Sequence, residues 1–301
     1  MRFLSAVVLS TLTLAGCEVN LNSQGLSTRE VKTFAVKGQP EVSLDTFDGA
    51  IELHSWDRNE VEIEVERRAN EQSLIDQITV SAEQHGDAII LKVTGPSRIE
   101  RHGLTIGVDI TPQARLRVAL PRNANISATS GDGSIRAEAI DGKITLHTTD
   151  GSIVASRLSG DIQLRSGDGS IRLEDVSGKL DLETTDGSIG LDAKPTVLRA
   201  KTGDGSIRAT IRPDTVMADN WDLSTSDGSV VVTLPGTFNA ELDAETSDGV
   251  VRAKHPLIAG ERDEHREDGS RESRRSLRQK MGEGGKTLRL RTGDGTIRIE
   301  R

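Results

Sequence analysis

Short apolar stretches separated by glycine turns recur along this chain at a constant spacing. Between residues 130 and 208, five blocks read SGDGSIR, TTDGSIV, SGDGSIR, TTDGSIG and TGDGSIR. Their aspartates follow one another at an exact interval, at Asp132, Asp150, Asp168, Asp186 and Asp204. A second set of glycines falls midway between them, at Gly142, Gly160 and Gly178. Each 18-residue unit therefore has two halves of nine residues, which predicts a β-solenoid whose coils bury their apolar faces only by stacking.

Apolar positions keep the same register in successive units, so we expect them to form buried columns. One column holds Ile135, Ile153, Ile171, Ile189 and Ile207, and another holds Leu146, Leu164, Leu182 and Ala200. Burial of each large side chain contributes roughly 1.5–3 kcal/mol. Between the columns, unlike charges such as Arg165 and Glu183 fall side by side. Arginines recur on alternate units, about two strand spacings or ~9.5 Å apart, at Arg136, Arg172 and Arg208.

The same signature occurs once earlier, at residues 41–53, where Asp48 takes the aspartate position. It is then interrupted, as far as Asp132, by longer alternating runs that predict antiparallel strands. A short helix is expected at residues 71–77, and a hairpin turn at residues 85–87. The pattern thus predicts an N-terminal β region at residues 31–126 that caps or widens the start of a solenoid at residues 127–301.

The repeat loosens toward the C-terminus. Asp227 and Asp248 follow at longer intervals, and Trp221 is expected to be a core or capping residue. Residues 260–286 are charged and poor in large apolar side chains, which predicts an exposed loop inserted into the solenoid. The final strand carries alternating charges, which we expect to discourage pairing of its edge with another molecule.

Composition favours β structure with many turns. The chain has 30 Gly, 4 Phe, 2 Trp and no Tyr in 301 residues, so its core must be mainly aliphatic. A thin solenoid suits such a core better than a thick globule. The net charge of −9 disfavours nucleic acid as a partner, because phosphate binding requires a positive surface.

The N-terminus has the features of a secretory signal. Arg2 precedes an apolar run that is too short to span a bilayer, and the sequence Leu-Ala-Gly-Cys ends at Cys17. This resembles the lipobox of bacterial lipoproteins, which implies a signal peptide at residues 1–16 and acylation of Cys17. The acyl chains would anchor the protein to a membrane surface. Residues 17–30 are then expected to be the lipidated cysteine and a polar tether.

The repeated Asp-Gly turns are the first candidate for chemistry. One interpretation is structural: each carboxylate accepts backbone hydrogen bonds within its own turn, and glycine permits a positive φ. The alternative is a row of Ca²⁺ sites, as in nonapeptide β-rolls. In those repeats the aspartate follows the glycines, whereas here it precedes the glycine. The spacing therefore favours the structural interpretation, and we predict no metal and no cofactor.

Catalytic motifs are not evident in the sequence. A glycosidase needs two singular carboxylates in a cleft, whereas these aspartates form a regular series. The six histidines have no metal-ligand spacing, and they are His54, His85, His102, His147, His255 and His265. We therefore expect a protein that is not an enzyme and has no catalytic residues.

The charged segment at residues 260–286 is the second candidate. Its first part is acidic and its second part is basic, as in many solvated surface loops. The alternative is a patch that binds an anionic polymer of the cell envelope.

The repeated T/S-x-D-G-S-I units, the block FDGAIELHSWD at residues 47–57 and the lipobox together resemble a bacterial β-strand-repeat family. That family is described as putative adhesins, a domain of unknown function. The resemblance spans residue 31 to the C-terminus and implies a cell-envelope lipoprotein that binds a surface polymer or protein without catalysis. The other hypothesis is a periplasmic structural scaffold or assembly partner.

Overall fold

A computed structural model describes residues 18–22, 25–96, 111–258 and 275–301. The described chain is all-β, with 21 strands and one short helix. The first nine strands are β1 (Glu18–Asn22), β2 (Gly25–Ala35), β3 (Glu41–Thr46), β4 (Ile51–Trp56), β5 (Glu60–Ala69), β6 (Thr79–His85), β7 (Ala88–Thr94), β8 (Gln113–Pro121) and β9 (Asn125–Ser130). The helix, α1, spans Gln72–Gln77.

The remaining strands include short ones and four long ones. They are β10 (Ile135–Glu138), β11 (Asp141–Thr148), β12 (Ile153–Ser156), β13 (Ser159–Ser166), β14 (Ile171–Thr184), β15 (Ile189–Thr202), β16 (Ile207–Ile211), β17 (Trp221–Asp227), β18 (Val230–Thr233), β19 (Ala240–Ala253), β20 (Ser276–Met281) and β21 (Thr287–Glu300).

The repeated section consists of stacked units that we call rungs. Each rung has one strand segment ending at an Asp-Gly turn and a second segment that follows the turn. The segments before the turns form the first face, with parallel order β7, β3, β9, β11, β13, β14, β15, β17, β21 and β19. The segments after the turns form the second face, with parallel order β8, β4, β10, β12, β14, β15, β16, β18, β21 and β19.

The interior between the two faces is filled by aliphatic columns. On the second face Ile135 lies opposite Ile153, which lies opposite Ile171, and all three are buried. Trp221 is 1% exposed and packs against Phe238 with ring centroids 5.6 Å apart, so its expected place in the core is confirmed. The architecture is therefore all-β and solenoid-like, with its apolar side chains between two parallel walls.

The early Asp48 block is the neighbour of the regular repeat in space. Strand β3 pairs with both β7 and β9, and β4 pairs with both β8 and β10. The chain between them leaves the stack as β5, the helix and β6, and then returns through β7 on the first face and β8 on the second. Gly86 has a φ of 64° in the hairpin turn, and α1 lies where a helix was expected.

The expected tether at residues 17–30 is wrong for most of its length. Strand β2 pairs antiparallel with β5, from Leu26 opposite Ala69 to Ala35 opposite Glu60, and β1 pairs with β2. An ion pair of 3.2 Å between Arg29 and Glu64 crosses this pairing. A polar sequence forms a strand here because β5 offers it a backbone edge. Cys17 and the predicted signal peptide lie outside the described residues.

The order of the strands at the C-terminal end also differs from the expected order, in which the last strand forms an edge. Strand β21 inserts between the β17–β18 rung and β19, so the last strand is interior and its charges do not protect an edge. Strand β20 lies within the predicted loop at residues 260–286 and pairs antiparallel with β19. Its buried residues Leu277 and Met281 supply the apolar contacts that this otherwise polar segment needs. Residues 259–274 lie outside the described chain.

Candidate functional site

Nine aspartates lie in one line along the edge where the first face turns into the second. We call this line the aspartate ladder, and from the N-terminal end it runs Asp48, Asp132, Asp150, Asp168, Asp186, Asp204, Asp227, Asp294 and Asp248. Asp48 is half-buried and the other eight are exposed. Neighbouring members are about 4.8 Å apart along the stack. The sequence predicted a regular ladder, and the structure adds Asp48 as its first member.

Buried hydroxyl groups, rather than the carboxylates, hold these turns. Thr148 lies two residues before its aspartate, donates a hydrogen bond of 2.9 Å to the Gly133 carbonyl on the preceding rung and accepts one of 3.2 Å from the Gly151 amide. Equivalent hydroxyls occur on the neighbouring rungs, at Ser130, Ser166, Thr184, Thr202 and Thr225.

The expected self-capping of the turns by aspartate is therefore wrong for the regular rungs. Among the described residues, no hydrogen bond reaches the carboxylates of Asp132 or Asp168. The Ser or Thr two residues before each aspartate was visible in every block, and its regular recurrence was the signal that could have identified it. A buried hydroxyl suits this role because it can donate and accept at once, which a carboxylate cannot do.

The expected positive φ of the glycine after each aspartate is wrong at the regular rungs, where close backbone approach requires glycine instead. A Cβ at Gly169 would lie 2.1 Å from the Gly151 carbonyl oxygen, and one at Gly187 would lie 2.2 Å from that of Gly169. Such distances are incompatible with any side chain at these positions. The Asp-Gly pair therefore marks the place where successive rungs touch through their backbones.

Electrostatics differ at the N-terminal end of the ladder. Burial, followed by repulsion from the negative charge of Asp132, raises the pKa of Asp48, and a hydrogen bond from the Gly49 amide partly offsets this. Within the described ranges, no three His, Cys, Asp or Glu side chains are grouped so that they could hold a metal ion. The ladder, as described, therefore presents single carboxylates to solvent.

Some charged side chains on the first face form ion pairs with one another. Arg165 reaches Glu183 at 3.2 Å and Asp181 at 3.8 Å. Farther along, Arg291 contacts Asp243 at 2.6 Å, and this hydrogen bond is the main cause that lowers the pKa of Asp243. Several charges of this face are therefore paired, although the exposed Lys143, Arg199 and Lys201 make no ion pair within the described residues.

The second face carries a column in which arginine alternates with other residues as far as Arg298, after which the exposed Arg252 follows directly on the next rung. In spatial order the column reads Arg117, Glu52, Arg136, Val154, Arg172, Gly190, Arg208, Val231, Arg298 and Arg252. We call Arg136, Arg172, Arg208 and Arg298 the arginine row. All four are exposed, and none makes an ion pair or side-chain hydrogen bond within the described residues.

Two carboxylates close to the arginine row are bound by other arginines. Glu138, two residues beyond Arg136, pairs with Arg157. Asp192 is bound by Arg212 at 2.6 Å, and that same guanidinium also contacts Asp175. The row arginines thus make no ion pair of their own, although the exposed Glu174 and Glu300 lie two residues beyond Arg172 and Arg298 and are likewise unpaired among the described residues.

A groove of about 550 Å³ lies beside the C-terminal end of the aspartate ladder. Its lining includes Thr225, Asp227, Glu245 and Asp294. These side chains are mainly hydroxyls and carboxylates, so the groove is polar and acidic. It continues the repeated surface and does not interrupt it.

One family model, described as Toastrack DUF4097, matches residues 41–300. The chain belongs to this family. The expected membership of a β-strand-repeat family of putative adhesins is therefore confirmed, as is the all-β, solenoid-like architecture. No curated protein matches the chain.

Solved structures similar to this Toastrack chain have low sequence identity. A putative adhesin from Bacteroides fragilis is 12% identical, with 90% of this chain and 96% of that chain covered and a TM-score of 0.48. A putative adhesin from Parabacteroides merdae is 9% identical, with 91% and 96% covered and a TM-score of 0.44. A putative lipid binding protein from Parabacteroides distasonis is 12% identical, with 91% and 97% covered and a TM-score of 0.39.

Other predicted candidates in the Toastrack chain are not brought together. His255 is buried, with Nε2 3.0 Å from the Pro235 carbonyl and Nδ1 accepting from the Leu257 amide, so it has a structural role. His102, His265 and most of the charged segment lie outside the described residues. In the part of the chain that the structure describes, no helix is long and apolar enough to cross a membrane.

Proposed function

We propose that this chain is a non-enzymatic lipoprotein of the bacterial cell envelope that acts as a surface binding or adhesion protein. Its signal peptide would be residues 1–16, and acylated Cys17 would hold it on the membrane. The observation that carries the binding role is the second face, where the same cation is displayed repeatedly without an internal partner. Repetition of a weak contact raises the avidity for a repetitive partner.

We also infer that each regular rung is one 18-residue coil made of two nine-residue halves. The register supports this, because Ile144 lies opposite Ile162 and Ile162 lies opposite Leu180. Coils of constant length keep each outward position in a straight column. Straight columns are what allow a single residue type to form an extended binding surface.

The absence of catalysis is part of this proposal. A hydrolytic pair consists of two singular carboxylates whose surroundings separate their pKa values. The aspartates of the regular rungs instead share one environment and one geometry. Repetition of this kind favours binding over turnover.

Cell-surface exposure is the decisive test. Intact cells of the native host would be treated with trypsin and then probed with an antibody against the mature chain, with a permeabilised sample as the comparison. We expect trypsin to cleave the charged segment at residues 260–286 in intact cells. Protection until the outer envelope is opened would contradict surface display. A Cys17→Ser variant serves as the anchoring control, and we expect it to lose the membrane fraction.

A periplasmic scaffold or assembly partner is the second candidate. It is supported by the strand edges at the two ends of the stack, since in the described chain β6 pairs only with β7, and β20 only with β19. Open edges can pair with another molecule. Sedimentation of the detergent-solubilised protein across a concentration series separates the two candidates. Growth into larger species favours the scaffold, whereas a constant size favours the adhesion protein.

A further inference from the structure

We propose that the arginine row binds a linear anionic polysaccharide that carries one acidic group per disaccharide. This inference rests on the proposed binding function and names the class of its partner. It starts from four exposed guanidinium groups on one face of a chain whose net charge is −9. In so acidic a protein, free arginines in a regular line need an explanation other than internal pairing.

The surrounding contacts leave the row available. Glu138 and Asp192 lie on the same face but are bound by Arg157 and Arg212. Glu174 and Glu300, two residues beyond Arg172 and Arg298, make no ion pair with the row in the described chain. At the N-terminal end of the same column, Arg117 is different, because it contacts Glu64 at 2.6 Å and Glu52 at 3.4 Å. The column therefore satisfies its first arginine internally and presents the later ones. An unpaired guanidinium offers planar donors that match a carboxylate or sulfate.

The distance between the guanidinium groups of the row indicates which kind of polymer fits it. Row members are separated by one intervening rung that carries Val154, Gly190 or Val231. Two strand spacings place the guanidinium groups about 9.5 Å apart, and the four span about 29 Å. One disaccharide of an extended β-linked chain has a similar length. A polymer with one acid per disaccharide could therefore bring every acid to an arginine at once.

Dense polyanions fit this face less well. A nucleic-acid strand carries about one charge per 3.4 Å, so most of its phosphates would lie between the arginines. The aspartate ladder runs along the same rungs, four residues before the row, and would repel those additional charges. A polysaccharide with widely spaced acidic groups and many hydroxyl groups avoids this repulsion. The geometry thus favours a polysaccharide over a nucleic acid.

Binding of the detergent-solubilised full chain to immobilised hyaluronan tests the proposal, because hyaluronan has one carboxylate per disaccharide. The variant R136Q/R172Q/R208Q should bind at least tenfold more weakly at low salt. The variant R58Q/R165Q/R289Q loses the same charge from arginines that are ion-paired. It should bind within about twofold of the unaltered chain, since its arginines lie outside the row.

A substitution within the row gives an independent variant. A Cβ at Gly190 would meet no atom within 4 Å, so this position tolerates a side chain. Gly190→Glu places a carboxylate between Arg172 and Arg208 and should weaken hyaluronan binding several-fold. Gly190→Gln has nearly the same shape without the charge and should bind like the unaltered chain. Thermal melts of all variants verify that the fold is retained.

Three results would overturn the proposal. They are the absence of hyaluronan binding by the unaltered chain, equal losses in the row variant and its charge-matched control, and tighter binding of poly(dT) with the same dependence on the row. The last result would assign the face to a nucleic acid. These outcomes are distinct from failure of surface display, because binding by the purified chain does not depend on which side of the envelope holds it.

Discussion

Asp48 and Asp132 are neighbours at the start of the aspartate ladder, although they are far apart in the sequence. Their segments pair in parallel, with Thr46 opposite Ser130. Burial and the charge of Asp132 together raise the pKa of Asp48. This contact joins the N-terminal block to the regular repeat, and it makes the junction sensitive to pH.

The first prediction concerns Asp48. Its pKa is higher in the folded state than in the unfolded chain, so its favourable contribution is complete below the unfolded pKa and is lost as pH rises through the folded pKa. Asp48→Asn should therefore raise the melting temperature at pH 7 by roughly 2 °C, with less effect at pH 3. Thermal melts at both pH values measure this. Asp57→Asn, at an exposed turn, is the control, and an equal shift in both variants would refute the assignment.

The second prediction concerns Asp243, whose pKa is shifted in the opposite direction to that of Asp48, so its effect on stability has the opposite dependence on pH. The hydrogen bond from Arg291 lowers its pKa, so the stabilisation is present above the unfolded pKa and is lost as pH falls through the folded pKa. Asp243→Asn should destabilise the protein by about 1 kcal/mol at pH 7. Urea unfolding at pH 7 and pH 3 measures this, and the difference should shrink at pH 3. Asp150→Asn, on the exposed ladder, provides the comparison; a penalty at pH 3 as large as at pH 7 would argue against an ionic origin.

The third prediction tests the buried hydroxyl column. Thr184 donates to the Gly169 carbonyl at 2.9 Å and accepts from the Gly187 amide at 3.3 Å. Thr184→Val keeps the shape but leaves both backbone groups unpaired, which should cost about 1–3 kcal/mol. Denaturant unfolding measures this cost. Thr184→Ser retains the hydroxyl, so its free energy of unfolding should fall much less. Similar losses of stability in both variants would mean that the methyl group contributes more than the hydroxyl.

The fourth prediction tests the aliphatic core. Leu164 is 0% exposed and lies between Leu146 and Leu182 on adjacent rungs. Leu164→Ala should reduce the free energy of unfolding by about 2–5 kcal/mol, because the rigid backbone of the stack cannot collapse into the cavity. Leu164→Asp should lower the melting temperature further. Val154→Ala, at a half-buried outward position, should have a small effect, and an unchanged melt for Leu164→Asp would disprove the register.

The repeating part of the fold was predictable because the residues that determine each rung lie within that rung or its neighbour. Glycine is required where backbones touch, and aliphatic residues are required in the interior, so the pattern at Ile135 and Ile153 predicts where those residues lie. The hydroxyl of Thr148 recurs just as regularly in the sequence, but the role of holding the turn was assigned to Asp150, two residues later. Its identification required knowing which group faces the interior.

Long-range order was not predictable in the same way. Insertion of β21 beside β17, and the pairing of β2 with β5, join segments that are far apart in the chain. A strand edge can accept any segment of suitable length, so local pattern does not select between the alternatives. The same holds for the arginine row, where Arg298 lies two strand spacings from Arg208 only because β21 inserts before β19.

The sequence by itself determined the repeat, its turns, the aliphatic interior and the family, because these depend on residues within one rung or its neighbour. The tertiary structure decided where Asp48 lies, which strand closes the C-terminal end and which charges remain unpaired. These features depend on contacts between segments that are distant in the chain. Such contacts form only when the chain folds, so the pattern within one rung does not determine them. Arg165 and Arg172 are close in the sequence, yet one is neutralised by Glu183 and the other is free, since they point from opposite faces of the stack.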